Sequence, residues 1–334
     1  MTRRWLVRSA AAAVAVWWLA PAPLAGQEPA AAASENPAEA AEPAAFKTPW
    51  GDPDLQGIWS YATFTPLQRP ADQADREFLT EEEIAAQNSN DATRATSERR
   101  GELSATRDLA LAYNQVWWDR GESTGRTSLI VDPPDGRLPP LTPAAERRQA
   151  ELREHRRTHA FDSWADRPLQ ERCMTYQRVP PVPSGYSNAY HIFQAPGQVV
   201  ILNEMIHDVR VIPLDGRAPI DGRIRQWNGD GRGRWDGDTL VVETTHYRDD
   251  TTWRGFPGTR NLRAVERFTR VDDDTIDYRY TIHDEATYTR PFTVELPLES
   301  PPGYVIYEYA CHEGNYSIAN ALAGERALEA RGSR

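Results

Sequence analysis

Lysine is almost absent from this chain of 334 residues: Lys47 is the only one among 38 basic residues. Schiff-base catalysis and P-loop phosphate binding both need a lysine at the site, so neither chemistry is expected. Cysteine is scarce as well, with Cys173 and Cys311 the only two. The apolar run over residues 10–20 is too short for a membrane-spanning helix, which needs roughly 20 residues.

The first 26 residues have the pattern of a secretory signal peptide. Arg3 and Arg4 form a basic start, residues 10–20 form an apolar centre, and small residues over 22–26 suit cleavage. Residues 27–45 are rich in Ala, Glu and Pro and cannot bury a core, so we expect a disordered spacer. The mature protein is therefore expected to be periplasmic or secreted, with no membrane association after cleavage.

The charge balance is acidic, with a formal net charge of −11. An acidic exported protein is a poor partner for nucleic acid or anionic membranes, so a small-molecule ligand or substrate is the expected partner. Nothing in the sequence specifies an oligomeric state.

The two cysteines predict a Cys173–Cys311 disulfide, because an even cysteine count in an oxidising compartment favours pairing. A bridge over so long a loop adds about 4–5 kcal/mol in the chain-entropy account. Two free thiols or a metal-binding pair are the alternatives.

Turn signals and apolar periodicity divide the rest of the chain. Thr80 opens a capping-box pattern and Thr142 precedes a second helical segment, which predicts a helical annex over about 80–160. From residue 188 on, short strands alternate with turns such as Asp236-Gly237-Asp238, as in an antiparallel meander that ends in a strand over 304–311. We expect a single β-rich domain over 46–324 and a disordered tail over 325–334.

Two resemblances bear on the fold. Gly57-Ile58-Trp59, entering the first predicted strand, resembles the Gly-x-Trp of lipocalin-type (calycin) barrels, which implies an interior that holds one small ligand. The second resemblance is carried by the segments TPWGDPDLQGIW, RTSLIVDPPDGRLPPLTP, VVILNEMIHDVRVIPLDGR, GRWDGDTLVVET and YEYACHEGNYSIANALAG. Through these segments, nearly the whole mature chain resembles a family of uncharacterised exported bacterial proteins, which implies export and no particular activity.

The expected fold is therefore mainly β: an antiparallel lipocalin-like barrel or a strongly curved sheet, with an N-terminal helical annex.

Two polar clusters interrupt apolar strands and are the candidate catalytic groups. One contains Glu204, His207 and Asp208; the other, after Cys311, contains His312 and Glu313. Imidazoles beside carboxylates suit proton transfer, and we expect the two clusters to meet in one pocket. The alternative is structural: polar hairpin tips and strand ends whose side chains satisfy backbone groups. No His-x-His or similar spacing pre-forms a metal site, so no metal and no cofactor is predicted, with a divalent metal as a minor possibility.

Aromatic residues near turns and arginines beside strands form the expected substrate-binding set. Tryptophan rings could line a pocket for a sugar or a flat apolar ligand, and an arginine could hold a substrate oxygen. The set comprises Trp117, Trp118, Arg126, Tyr190, Asn203, Arg210 and Trp227.

The sequence therefore favours an exported, cofactor-independent enzyme that uses His/carboxylate acid–base chemistry on a small organic substrate, as a lyase, isomerase or hydrolase. The alternative is a lipocalin-like periplasmic carrier of a small ligand, and a structural envelope protein is a third possibility.

Overall fold

An antiparallel sheet of eleven strands organises the molecule in the computed structural model. The structure describes residues 46–94, 119, 121–176, 179–249, 252–253, 256–257 and 259–332. The expected signal peptide, the expected spacer over 27–45, and Trp117 and Trp118 lie outside these residues.

Thirteen strands are present in the described residues, and two of them, β8 and β9, form a separate small ladder. The main sheet has the order β5-β4-β3-β1-β13-β11-β10-β7-β6, and β12 pairs with both β11 and β2. The strands are β1 Gly57–Ser60, β2 Ile130–Asp132, β3 Ala189–Ala195, β4 Gln198–Asn203, β5 Val209–Pro213, β6 Asp230–Asp236, β7 Thr239–Thr245, β8 Thr252–Trp253, β9 Phe256–Pro257, β10 Arg263–Arg270, β11 Thr275–His283, β12 Phe292–Glu295 and β13 Leu298–Glu299.

Alternation of apolar and polar side chains explains the strands. Along β11, Ile276, Tyr278, Tyr280 and Ile282 are buried, while the residues between them point outward. The aspartates that precede β11 form a hairpin turn, in which Asp274 N donates to the Asp272 side chain at 3.1 Å. The expected antiparallel meander is thus confirmed.

The sheet is strongly curved but open. Its two edge strands, β5 and β6, do not pair in the described part of the chain, so closure into a barrel is not observed. The edges nevertheless lie side by side: a Cβ placed on Gly233 of β6 would be 2.5 Å from Leu214 Cδ2 and 2.8 Å from Ile212 Cγ2. A side chain at position 233 would force Leu214 and Ile212 to shift, so glycine allows the two edges to approach this closely.

Three α-helices are described: α1 Glu81–Arg94, α2 Pro143–His159 and α3 Ser317–Ala330. The predicted caps are present, since Thr80 and Glu83 exchange capping-box hydrogen bonds and Thr142 Oγ1 accepts from Ala145 N at 3.1 Å. None of the helices in the described ranges is both long and apolar enough to cross a membrane.

The C-terminal region differs from expectation at two places. Helix α3 continues to residue 330, so the expected disordered tail over 325–334 is helical in its first part, in keeping with its Ala, Leu and Glu content. Residues 304–311 form no strand. They belong to an irregular segment, residues 304–316, which we call the strap. Side-chain contacts and a disulfide hold the strap, and no sheet ladder reaches it.

A buried ion pair crosses the interior of the sheet. Arg210 on β5 donates to both carboxylate oxygens of Glu266 on β10, and Arg210 and Glu266 are 8% and 0% exposed. Tyr278 Oη donates to Glu266 Oε1 at 2.8 Å, and Arg210 Nη2 also reaches Thr244 Oγ1 at 3.3 Å. Burial alone would lower the pKa of Arg210, but the charge of Glu266 and its hydrogen bonds to Arg210 together raise this pKa.

Removing one partner of this ion pair should be more harmful than removing both. Arg210→Met leaves the Glu266 carboxylate buried without a cation, so we expect a loss of about 3–5 kcal/mol of unfolding free energy. The double variant Arg210→Met/Glu266→Gln should recover most of this loss. Urea denaturation measures both, and a single-variant loss below about 1 kcal/mol would contradict the argument.

Trp59 of the Gly-x-Trp tripeptide is 1% exposed, and its Nε1 donates to Leu55 O at 2.9 Å. Trp59→Ala should therefore cost roughly 3–5 kcal/mol, as other truncations of buried large aromatic side chains do. Trp50, which is 38% exposed, offers a matched control, and Trp50→Ala should cost about 0.5 kcal/mol. Equal losses for the two variants in thermal or urea unfolding would show that Trp59 does not support the core.

Candidate functional site

The polar cluster after β4 forms a tight turn. Residues 205–207 make one 3-10 turn, and Ile206 and His207 have φ values of 60° and 47°. A left-handed conformation is costly for a β-branched residue such as Ile206, so the surrounding packing must hold it in place. The turn directs Glu204 and Asp208 to different cavities.

Glu204 lines a cavity of about 610 Å³ between this turn, the strap and the segment before β3. We call it the tyrosine cavity. Its lining includes Asp119, Tyr186, Glu204, Tyr304, Tyr307 and Glu308. Cys311 also lines it and forms the predicted disulfide with Cys173, which ties the strap to the segment around residue 173.

The Glu204 carboxylate is the most buried acid of this cavity, at 2% exposure. Tyr304 Oη lies 2.9 Å from each of its oxygens, and Tyr307 N donates to Oε1 at 3.0 Å. Burial raises the pKa of Glu204 despite these hydrogen bonds, and the negative charge of Asp119 adds to the rise. A carboxyl group with a raised pKa accepts and releases protons closer to neutrality than an exposed one.

Asp119 is the second carboxyl group of the cavity. Asn188 Nδ2 donates to its backbone carbonyl at 2.8 Å, and its own N–H donates to Gly185 O at 2.9 Å. Burial raises the pKa of Asp119 as well. The sequence analysis missed this residue, because Asp119 stands outside every motif and only its proximity to Trp117 and Trp118 pointed to the region.

Left-handed backbone conformations concentrate around the cavity. Among the described non-glycine residues, Cys173, Ser187, Ile206, His207 and His246 have positive φ. The first four belong to the cavity wall or to the turn and disulfide next to it. Strained backbone of this kind clusters at functional sites, where the rest of the fold must support it.

Neither predicted histidine lines the cavity: His207 contacts the strap, and His312 belongs to it. His207 is exposed, and its Nδ1 lies 3.0 Å from Tyr309 O, to which a ring N–H can donate. His312 and Glu313 are exposed at the turn that follows Cys311. His207 thus holds the strap, and the buried acid of the site is Glu204.

Asp208, Arg210 and Trp227 line a second cavity, of about 600 Å³, at the opening between β5 and β6. Asp208 accepts from Asn228 Nδ2 at 3.0 Å, and burial raises its pKa. Arg210 is committed to Glu266, and Arg248 lies 4.3 Å from the Trp227 ring centroid. Of the expected substrate-binding residues that the structure describes, Arg210 and Trp227 line this second cavity, and none lines the tyrosine cavity.

Three other members of the expected substrate-binding set make contacts that support the fold. Tyr190 is 1% exposed in the core, where its ring lies 5.0 Å from that of Tyr61. Asn203 accepts from Tyr61 Oη at 3.1 Å. Arg126 forms ion pairs with Glu77 and Glu295. A core ring and side chains committed to such partners are not available to a substrate.

Gly121-Glu122-Ser123-Thr124-Gly125 matches the Gly-x-Ser-x-Gly spacing of hydrolase nucleophiles. In those enzymes the serine stands on a turn between a strand and a helix. Here the segment is an irregular loop, in which Ser123 Oγ accepts from Gly125 N at 3.2 Å and Ser123 N donates to Asn88 Oδ1 at 3.2 Å. The loop uses the serine for its own hydrogen bonds and lacks the context of a nucleophile.

Within the described residues, no three or more His, Cys, Asp or Glu side chains are grouped as ligands for a metal ion. Comparison of the chain with models of known protein families, with curated proteins and with solved structures finds no significant match.

The hydroxyl of Tyr304 should stabilise the fold in proportion to the charge on Glu204. Tyr304→Phe leaves the buried carboxylate without this donor, which should cost about 1–3 kcal/mol at pH 7. Loss of the donor also raises the pKa of Glu204 further. With its raised pKa, Glu204 stabilises the fold when it is protonated, and this contribution is lost as pH rises and the carboxylate becomes charged. The cost of Tyr304→Phe should therefore be smaller at pH 4 than at pH 7.

Urea denaturation at the two pH values measures this cost. Tyr307→Phe is the control, because the Tyr307 hydroxyl makes no hydrogen bond to a described residue. A cost of Tyr304→Phe that stays constant with pH would show that the hydroxyl does not act through the Glu204 charge.

Proposed function

We propose that the protein is an exported enzyme that moves a proton on a small organic molecule in the tyrosine cavity, with Glu204 as the acid–base group. The observation that carries this proposal is a carboxyl group with a raised pKa, nearly fully buried, in the wall of a cavity of substrate size. The reaction class is a lyase, isomerase or hydrolase that needs no cofactor.

The roles follow from the contacts. The ionised Glu204 takes a proton from the substrate and becomes a neutral carboxylic acid, which burial favours. That proton then passes to another substrate atom or to a leaving group. Tyr304, whose hydroxyl contacts both oxygens of Glu204, orients the carboxylate. Asp119 provides a second carboxyl group, so an acid and a base are both available.

His207 and His312 take different roles in this proposal from those expected from the sequence. His207 positions the strap through Tyr309 O, and His312 follows the disulfide at the surface. We therefore assign the acid–base role to the buried carboxyl groups and not to the imidazoles.

Export and the barrel-like arrangement belong to the same proposal. The Cys173–Cys311 disulfide supports an oxidising compartment, such as the periplasm or the exterior, because disulfides persist there. The close approach of β5 and β6 supports a lipocalin-like arrangement, since it gives the sheet a curved interior. The sequence segments quoted above support membership of the uncharacterised exported family.

A carrier is the second candidate, and the double contact of Glu204 with the strap favours it. Tyr304 and Tyr307 both donate to this carboxylate, which could therefore serve only to fasten the strap over a bound ligand. A carrier would bind without converting its ligand.

Incubation with a pool of small metabolites, followed by mass spectrometry, separates the two candidates. The wild type should deplete a substrate and form a product, and Glu204→Gln should slow this by at least about 100-fold, the usual loss when an acid–base group is removed. Glu151→Gln is the matched control: Glu151 is exposed on α2, and its variant should retain full activity. A ligand retained by the wild type without conversion would establish the carrier instead.

A further inference from the structure

We propose that the tyrosine cavity takes an organic cation, such as a substituted ammonium group. This deepens the proposed function and rests on it for the identity of the site.

The described lining of the cavity is acidic and contains no basic residue. Asp119, Glu204 and Glu308 line it, and none of them forms an ion pair with a described residue. A fourth acid, Glu171, is neutralised by Arg167 through contacts of 2.9 and 2.8 Å. No described lining residue is an arginine, lysine or histidine, although the chain has 38 basic residues. Asp119, Glu204 and Glu308 therefore present negative charge that no basic residue of the described lining compensates.

The aromatic walls suit an organic cation. Tyr304 and Tyr307 have ring centroids 6.0 Å apart and an interplanar angle of 84°, so they form two nearly perpendicular walls. Tyr186 and Tyr309 add further aromatic lining. The negative face of an aromatic ring attracts a cation, and several rings at right angles can surround a quaternary ammonium group.

The size of the cavity favours a molecule over a metal ion. At about 610 Å³ it falls within the usual range for small-molecule sites, roughly 300–1,000 Å³. The only oxygen that a tyrosine side chain could offer a metal ion is its hydroxyl, and the Tyr304 hydroxyl already donates to Glu204. An ammonium group on an organic body would use both the carboxylates and the ring faces.

Cation binding should be linked to proton release. Burial raises the pKa of Glu204 and of Asp119, and each keeps part of its proton at a pH where an exposed acid is fully ionised. A bound cation favours the ionised forms and lowers these pKa values. Affinity should therefore fall as pH decreases, with the change beginning above the value of about 4.3 for an unperturbed glutamate.

The test uses the full mature chain and three cationic probes: tetramethylammonium, choline and phenethylamine. Titration calorimetry compares choline with its neutral isostere 3,3-dimethylbutan-1-ol, and phenethylamine with phenylacetate. We expect at least one cation to bind tenfold or more tightly than its counterpart. Its observed binding enthalpy should differ between two buffers of different ionisation enthalpy, because binding releases protons. Absence of binding by all three cations at millimolar concentration, equal affinity for the counterparts, or binding of Ca²⁺ in place of the cations would overturn the proposal.

Variants locate the binding site. Tyr307→Leu removes an exposed ring wall and should weaken binding of the cation by about 2- to 30-fold, while Tyr307→Phe keeps the ring and the affinity. Glu308→Gln should weaken binding, and Glu151→Gln, the same charge change on α2, should leave it unchanged. Equal effects of Glu308→Gln and Glu151→Gln would show attraction by the net charge alone and would overturn the site.

The two proposals fail separately. Binding is measured without turnover, so a cation that binds but is never converted leaves this inference standing and removes the enzyme proposal. A neutral or anionic substrate that is converted with dependence on Glu204 removes the inference and leaves the enzyme.

Discussion

The Arg210–Glu266 ion pair sets the geometry on which the rest of the molecule depends. Arg210 lies on the edge strand β5, and Glu266 lies on β10, six places away in the sheet order, so the two can meet only if the sheet curls. A buried guanidinium or carboxylate is strongly destabilising without its partner. A flat sheet would keep Arg210 and Glu266 apart and is therefore disfavoured. Because β5 begins directly after the turn at 205–207, the same constraint places Glu204 and Asp208 against their cavities.

The functional region is built from parts that do not belong to the sheet. The strap has no ladder partner, yet three kinds of contact hold it: the Glu204 carboxylate, the carbonyl of Tyr309 at His207, and the Cys173–Cys311 disulfide. Each contact joins residues at least 100 positions apart. A site made in this way needs a covalent or buried polar anchor, because an irregular segment buries too little apolar area to stay in place by itself.

One short turn serves two cavities of different chemistry. Glu204, at its start, faces tyrosines and other carboxyl groups, and Asp208, at its end, faces Asn228 and the opening between β5 and β6. The left-handed conformations of Ile206 and His207 reverse the chain between them. Strain in the backbone is thus the means by which neighbouring carboxyl groups come to lie in separate environments.

The sequence by itself determined the local structure: the strands of the meander, the caps at Thr80 and Thr142, and the pairing of its only two cysteines. These follow from period-two alternation, capping chemistry and cysteine count, which are local or countable properties. Tertiary structure alone decided that Asp119 joins Glu204, that Tyr190 belongs to the core, and that residues 304–311 form a strap where alternation had suggested a strand. Those outcomes depend on which distant groups share a buried volume, and no spacing along the chain encodes that proximity.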